Sequence, residues 1–350
     1  MRKILQQLLP WLLILTFVAA VEHLLGWQTL LTSWQQLSWQ TGMMAVALML
    51  LSYGLRTWRF YDYFRLGQPL PSTTASTLNI DETRPLSLSA RQAARQFAYT
   101  FRLMLLHNMF NNLLPARSGE LSFPLLMKRY FALDYSRTAS ALLWFRLLDL
   151  HSILLMLSVP VLAWFLPTSL ALLLSIGFLL IPWVTFRLQC QLSHYLQQKS
   201  QSPIENQPLW LKVGLKIMQG LPANTGDFWR SWLLTLLNWA VKLGILVWLL
   251  LQLSSVNIPT DIALSAIIGG ELTSVLPFHA PAGVGTYEAG LVAVLSATNT
   301  LPWLPLQGTL SVQAAMILAI NVHLFVLSTA MMGGLIAWLL PKPIPQHTEQ

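Results

Sequence analysis

Few side chains in this chain of 350 residues can do chemistry, and those that lie within apolar sequence fall into three groups. The first is "HNMFNNLLPARSGELSFPLL", with Asn108, Asn111, Asn112, Arg117 and Glu120. The second is "WFRLLDLH", with Arg146 and Asp149. The third is "ELTSVLPFHAPAGVGTYEAG", with Glu271, His279 and Glu288. A guanidinium such as that of Arg117 can grip a phosphate in a bidentate fork, or pair with Glu120. Asn108, Asn111 and Asn112 share one helical face, suited to a head group or to a neighbouring helix. Arg146 and Asp149, three apart, can pair with each other or contact a substrate. His279 can titrate near neutral pH, or serve as a plain hydrogen-bonder in a loop. No catalytic set stands out. The seven histidines and single cysteine, Cys190, form no His-x-x-x-His or Cys-x-x-Cys pair, so the sequence implies neither a metal nor a disulfide. No cofactor or nucleotide motif is present, and the reading is of a protein that is not an enzyme.

The surroundings of these residues are apolar. Fifty-five per cent of the chain is hydrophobic and only 10% charged, against roughly 25% charged in soluble domains. Runs approaching or exceeding 20 residues predict an all-α, polytopic membrane protein rather than a β-barrel. A formal charge of +8 then points to a cytoplasmic face, not to nucleic acid. Full spans are expected at 4–25, 41–60, 139–166, 170–187, 231–253 and 311–340. The first has the basic start and apolar core of a signal peptide without a small-residue cleavage site, and reads as a retained span.

Lys and Arg cluster in alternate connections: before the first span, after the second, before the third, between the fourth and fifth, and after the last. The connections 26–40, 167–169, 254–261 and 301–310 contain none. That asymmetry predicts both termini in the cytoplasm. Arg56 and Arg59, in "LRTWRF" at the end of the second span, read as inner-leaflet lipid anchors. Two broken apolar regions, 97–133 and 262–300, each begin and end on one side, so they predict re-entrant hairpins of opposite direction. One membrane domain is expected over 1–345, with a tail at 346–350. Residues 66–92 form a cytoplasmic insertion, and 188–230 a cytoplasmic loop carrying an interfacial helix near 208–221, where Lys212 and Lys216 share a face.

The two broken regions are alike. Each runs from an apolar helix through proline and glycine to a hydroxyl residue and, two positions on, a glutamate: Ser118 with Glu120, Thr286 with Glu288. The hydroxyls suit helix N-caps and the glutamates the positive first turn. They can be no more than helix-start residues. At mid-membrane, however, a charge costs on the order of 2.5–3.5 kcal/mol, and irregular backbone survives only where buried or lining a cavity. Paired breaks from opposite faces fit an inverted-repeat transporter.

At "LRTWRF", "NNLLPARSGELSFPLLMKRY" followed by "ALLWFRLLD", and "PAGVGTYEAG", the sequence resembles the flippase-like membrane region of lysylphosphatidylglycerol synthases and its stand-alone bacterial relatives. The resemblance spans landmarks from about 50 to 295. It departs from the pattern at Ser118, where alanine or glycine is usual, at Ala282, which replaces one of a glycine pair, and in the long loop 66–92. Bifunctional members add a soluble aminoacyl-transferase domain, for which a chain ending at residue 350 is expected to leave no room. The resemblance implies a lipid flippase. A phospholipid or glycolipid head group would pass a polar cavity lined by Asn108, Asn111, Asn112, Arg117, Glu120, Arg146, Asp149, Glu271, His279 and Glu288. The partners are then membrane lipids and, in some settings, a separate lipid-modifying enzyme. The alternatives are a non-transporting accessory protein that binds lipid and an envelope-biogenesis enzyme, and an intramembrane enzyme acting on a lipid-linked sugar or phosphate.

Overall fold

The computed structural model describes residues 16, 18–35, 37–66, 90–114, 119–200, 207–275, 280–297 and 310–342. Among these, all regular structure is helical. After helical residues 18–24 come α1 (Trp27–Gln35), α2 (Trp39–Tyr63), α3 (Ala90–Leu113), α4 (Gly119–Phe131), α5 (Tyr135–Phe165), α6 (Thr168–Leu179) and α7 (Ile181–Lys199). There follow α8 (Leu209–Met218), α9 (Thr225–Leu253), α10 (Thr260–Val275), a 3-10 turn (Pro281–Gly283), α11 (Thr286–Ala297) and α12 (Val312–Leu339).

Four stretches are long and apolar enough to cross a membrane: Tyr135–Phe165, Thr168–Lys199, Thr225–Leu253 and Val312–Leu339. They correspond to four of the six expected spans. Most of the first expected span lies outside the described residues. The second, α2, is 25 residues long but carries Arg56, Arg59 and Asp62 in its last turns. The fourth runs further than its hydropathy suggests. Its helix bends at Leu180 and continues to Lys199, so 188–199 is helix and not loop. A helix does stand in 208–221, as α8, with Leu209, Trp210, Val213 and Ile217 exposed beside the buried Leu211.

Helix starts follow local chemistry. Ser38, Asp134, Asn224 and Ser311 each accept a backbone N–H of the first turn, satisfying donors a helix cannot satisfy itself. At the other end of α12, Arg102 of α3 donates to the carbonyls of Ala337 and Leu340, where a cation meets unpaired carbonyls and the negative dipole end.

The two broken regions both fold as helical hairpins, α3 against α4 and α10 against α11. Each closes through glycine. A Cβ on Gly119 would stand 2.5 Å from the Asn111 nitrogen, and Cβ atoms on Gly269 and Gly290 would stand 2.6 and 2.5 Å from each other's carbonyl oxygens. Backbones this close exclude every side chain. Between α10 and α11, the chain turns through left-handed conformations at Ala282, Gly283 and Gly285, with φ of 57°, 72° and 80°. Ala282, the departure from the family pattern, thus occupies a conformation that glycine adopts without strain. The turn packs on α3, so the tip of one hairpin meets the first helix of the other.

Two apolar clusters hold the bundle. One gathers residues of α2, α3, α5 and α9–α12, including Met49, Tyr53, Leu105, Ile153, Trp239 and Leu243. The other holds Leu148 among many aromatics, including Phe60, Phe123, Phe145, Phe228 and Trp232. Along α2, α5 and α9, polar residues fall at the change from one cluster to the other: Arg56 between Tyr53 and Phe60, Asp149 between Leu148 and Ile153, Thr235 between Trp232 and Trp239. The polar residues form a layer because they occupy corresponding levels on neighbouring helices.

Candidate functional site

That layer lines a small polar cavity with an open mouth. Its walls include Asn108, Asn111, Asn112, Arg146, Asp149 and Glu271, six of the ten residues singled out in the sequence. The i, i+3, i+4 spacing of the asparagines points all three inward from α3, and Asn112 Nδ2 donates to the Asn108 carbonyl at 2.7 Å. Glu120 stands behind this wall, its Oε1 3.0 Å from Arg146 Nε, at an angle that makes the contact an ion pair rather than a hydrogen bond. Arg117 and His279 lie outside the described residues.

Asp149 is the hub. Its Oδ1 accepts from Arg59 Nη1 at 2.8 Å and Trp239 Nε1 at 3.1 Å, and its Oδ2 faces Arg146 Nη1 at 3.4 Å. Arg59 also donates to Thr235 at 2.7 Å. Both Arg59 (2% exposed) and Asp149 (4%) are buried. The anchor role expected of Arg56 and Arg59 is therefore corrected. Charge counting places arginines near a span end, but α2 turns these two inward, one into a buried ion pair and the other onto the cavity wall.

A second ion pair joins Glu271 to Lys242, which was not singled out in the sequence. Lys242 Nζ lies 2.7 Å from Glu271 Oε2, and both face the cavity. Lys242 is the only Lys, Arg, Asp or Glu between 231 and 253, a rarity inside an apolar span that was itself a signal. Tyr287 and His323 line the cavity too, their rings stacked with centroids 4.5 Å apart.

Glu288 lies on the far side of that wall. Its Oε1 is 2.6 Å from His323 Nδ1, and its Oε2 accepts the Gly285 N–H at 2.8 Å. The capping of α11 therefore differs from expectation. Thr286 is the first helical residue and donates to the Gly283 carbonyl. Glu288 does the capping instead by reaching back, as the acid of a capping box does. Glu288 also borders an apolar groove shared with Val21, Leu24, Val292 and Ile320. The proposed cap Ser118 lies outside the described residues. Both hairpins nonetheless repeat one arrangement: a first-turn glutamate, Glu120 or Glu288, contacts a nitrogen base on the next long helix, Arg146 or His323.

Among the described residues, no group of three His, Cys, Asp or Glu could hold a metal ion. What the cavity offers is polar binding: three cations (Arg56, Arg146, Lys242) face it against two carboxylates (Asp149, Glu271), with amides between. Lys242 is matched by Glu271, and Arg146 by Asp149 and Glu120. No curated protein and no solved structure matches this chain. A family model does, over residues 7–331, and with it the helices fit to cross a membrane take their place: the chain belongs to the family of the lysylphosphatidylglycerol synthase TM region.

Proposed function

We propose that the protein is a lipid transporter that moves a phospholipid or glycolipid head group between leaflets of the bacterial inner membrane. The observation that carries this is the polar, net-cationic cavity walled by two broken helical hairpins inside an otherwise apolar bundle. Membership of a family named for a lipid synthase's membrane region supports a lipid as the ligand. In this reading the hairpins are re-entrant from opposite faces, both termini are cytoplasmic, and the head group crosses while its acyl chains stay in the bilayer. The ionised residues bind and gate rather than catalyse. The driving force is a gradient, or consumption of the lipid by a separate enzyme on the far side.

The test is leaflet exchange of fluorescent phospholipids and glycolipids in proteoliposomes. The wild type is expected to exchange at least one class, and Glu271→Gln, which leaves Lys242 unmatched in the cavity, is expected to slow it at least about tenfold, the effect of about 1.4 kcal/mol. No exchange of any lipid by folded protein sinks the transport reading in favour of an accessory role.

A further inference from the structure

Arg56 is the exception among the charges of the cavity. Among the described residues no carboxylate comes within 4.0 Å of its guanidinium. Its one hydrogen bond is from Nη1 to the neutral Asn108 Oδ1, at 3.4 Å. Its Nε is buried without a partner. A guanidinium carries five donors in a planar fork, and donors left unmade in an interior cost far more than on a surface. Every other cation on this wall has a carboxylate within 4.0 Å, whereas Arg56 is reached by Asp149 only at longer range. The neighbouring Asn111 adds a second open valence: its Oδ1 is buried and unpaired, and it faces the same cavity.

We propose that Arg56 is the phosphate-binding subsite of this cavity, with Asn111 accepting a hydroxyl beyond the phosphate, and that the preferred ligand is an anionic phosphodiester lipid with a hydroxylated head group. The proposal rests on the reading of the cavity as a head-group site. A phosphate completes Arg56 with two parallel charge-assisted bonds, which a neutral sugar cannot do. It also cancels the excess positive charge that three cations and two carboxylates leave on the wall. A head group that carries its own ammonium cancels less of that charge, so a zwitterionic lipid binds more weakly than phosphatidylglycerol.

The experiment is native mass spectrometry of the full chain in detergent with phosphatidylglycerol, phosphatidylcholine or glucosyl diacylglycerol. The wild type is expected to retain phosphatidylglycerol above phosphatidylcholine, and both above the phosphate-free glycolipid. Arg56→Gln is expected to lower phosphatidylglycerol retention at least about tenfold, near the lower bound for a charge-assisted bond. Arg56→Lys, which keeps the charge and stem but loses the fork, is expected to fall between the two and remains informative if the glutamine variant does not fold. Retention of phosphatidylglycerol at wild-type level by both variants overturns the subsite, as does equal retention of the glycolipid by the wild type. Millimolar inorganic phosphate is expected to leave the bound lipid in place. Its displacement of the lipid, with Arg56-dependent binding of phosphate itself, overturns the lipid and points to a free anion. Retention without leaflet exchange refutes transport and leaves the subsite standing; exchange with retention unchanged in both variants does the reverse.

Discussion

Replacing Asp149 by alanine tests the ionic layer most directly. The carboxylate meets Arg59 at 2.8 Å. At an effective dielectric of 20 that contact alone is worth about 6 kcal/mol of gross attraction. Much of this offsets the desolvation of two buried charges, so the net worth of the pair is small. Removing only the acid is different. Arg59 stays 2% exposed with Thr235 as its one other hydrogen-bond acceptor, and Trp239 loses its acceptor. Breaking a buried pair in this way costs about 3–5 kcal/mol. At about 2 °C per kcal/mol, Asp149→Ala should lower the melting midpoint by about 6–10 °C. Intrinsic fluorescence in detergent reads this well, because the chain holds 15 tryptophans and Trp239 touches the mutated group. The double variant Arg59→Met/Asp149→Leu removes both charges and should recover at least half of the loss. A single variant melting within 2 °C of wild type, or a double variant whose losses simply add, refutes the account of Asp149 as the counter-charge of a buried arginine.

Further outcomes follow from the same geometry. Gly290→Val drives a side chain into the Gly269 carbonyl, 2.5 Å from the first added carbon, and should cost roughly 1–3 kcal/mol or more, read as a lower melting midpoint. At Ala282, φ of 57° makes Ala282→Gly neutral to stabilising by up to about 1 kcal/mol. The branched Ala282→Val, by contrast, should destabilise, and a reversed order would remove the left-handed turn from the account. The Ser136 hydroxyl and N–H hold the Asp134 carboxyl below its ordinary value. A depressed folded value stabilises above the unfolded carboxylate range and is lost as pH falls through it. The melting difference between wild type and Asp134→Ala should therefore be largest near neutral pH and shrink in acid. In a Cys190→Ser background, Ser33→Cys should react with an impermeant maleimide from outside and Ser76→Cys only from inside; the opposite labelling overturns the orientation.

What was legible in the sequence was local. Asn108, Asn111 and Asn112 share a face by helical spacing alone, and Arg146 finds Asp149 three residues on; both were readable because a helix fixes such neighbours. The hairpins were readable from proline and glycine interrupting apolar runs. The partners that complete the site were not: Asp149 meets Arg59 across 90 residues of chain, Lys242 meets Glu271 across 29, and His323 meets Glu288 across 35. Arg56 and Arg59 show why. The positive-inside rule weighs charges by distance from a span end, whereas their fate is set by which face of α2 meets α9. Lys242 and His323 are a different matter. Each stands in a long apolar helix, and the cost of a polar group there was reason enough to suspect a partner.

The hairpins and the ionic layer explain each other. Open backbone in a turn inside an apolar bundle is tolerable only against polar partners, and in the second hairpin the first-turn glutamate supplies one: Glu288 takes the Gly285 N–H while holding His323; in the first, Glu120 holds Arg146. Each hairpin is thereby tied through one carboxylate to the long helix that follows it. Replacing either carboxylate alters that tie. Arg56 ties neither hairpin through a carboxylate contact. It comes from α2, outside both hairpins, and makes one long hydrogen bond to the neutral Asn108. A cation with no carboxylate in direct contact is the one most available to a ligand, and its replacement disturbs the fold less than any variant at Asp149, Glu120 or Glu288.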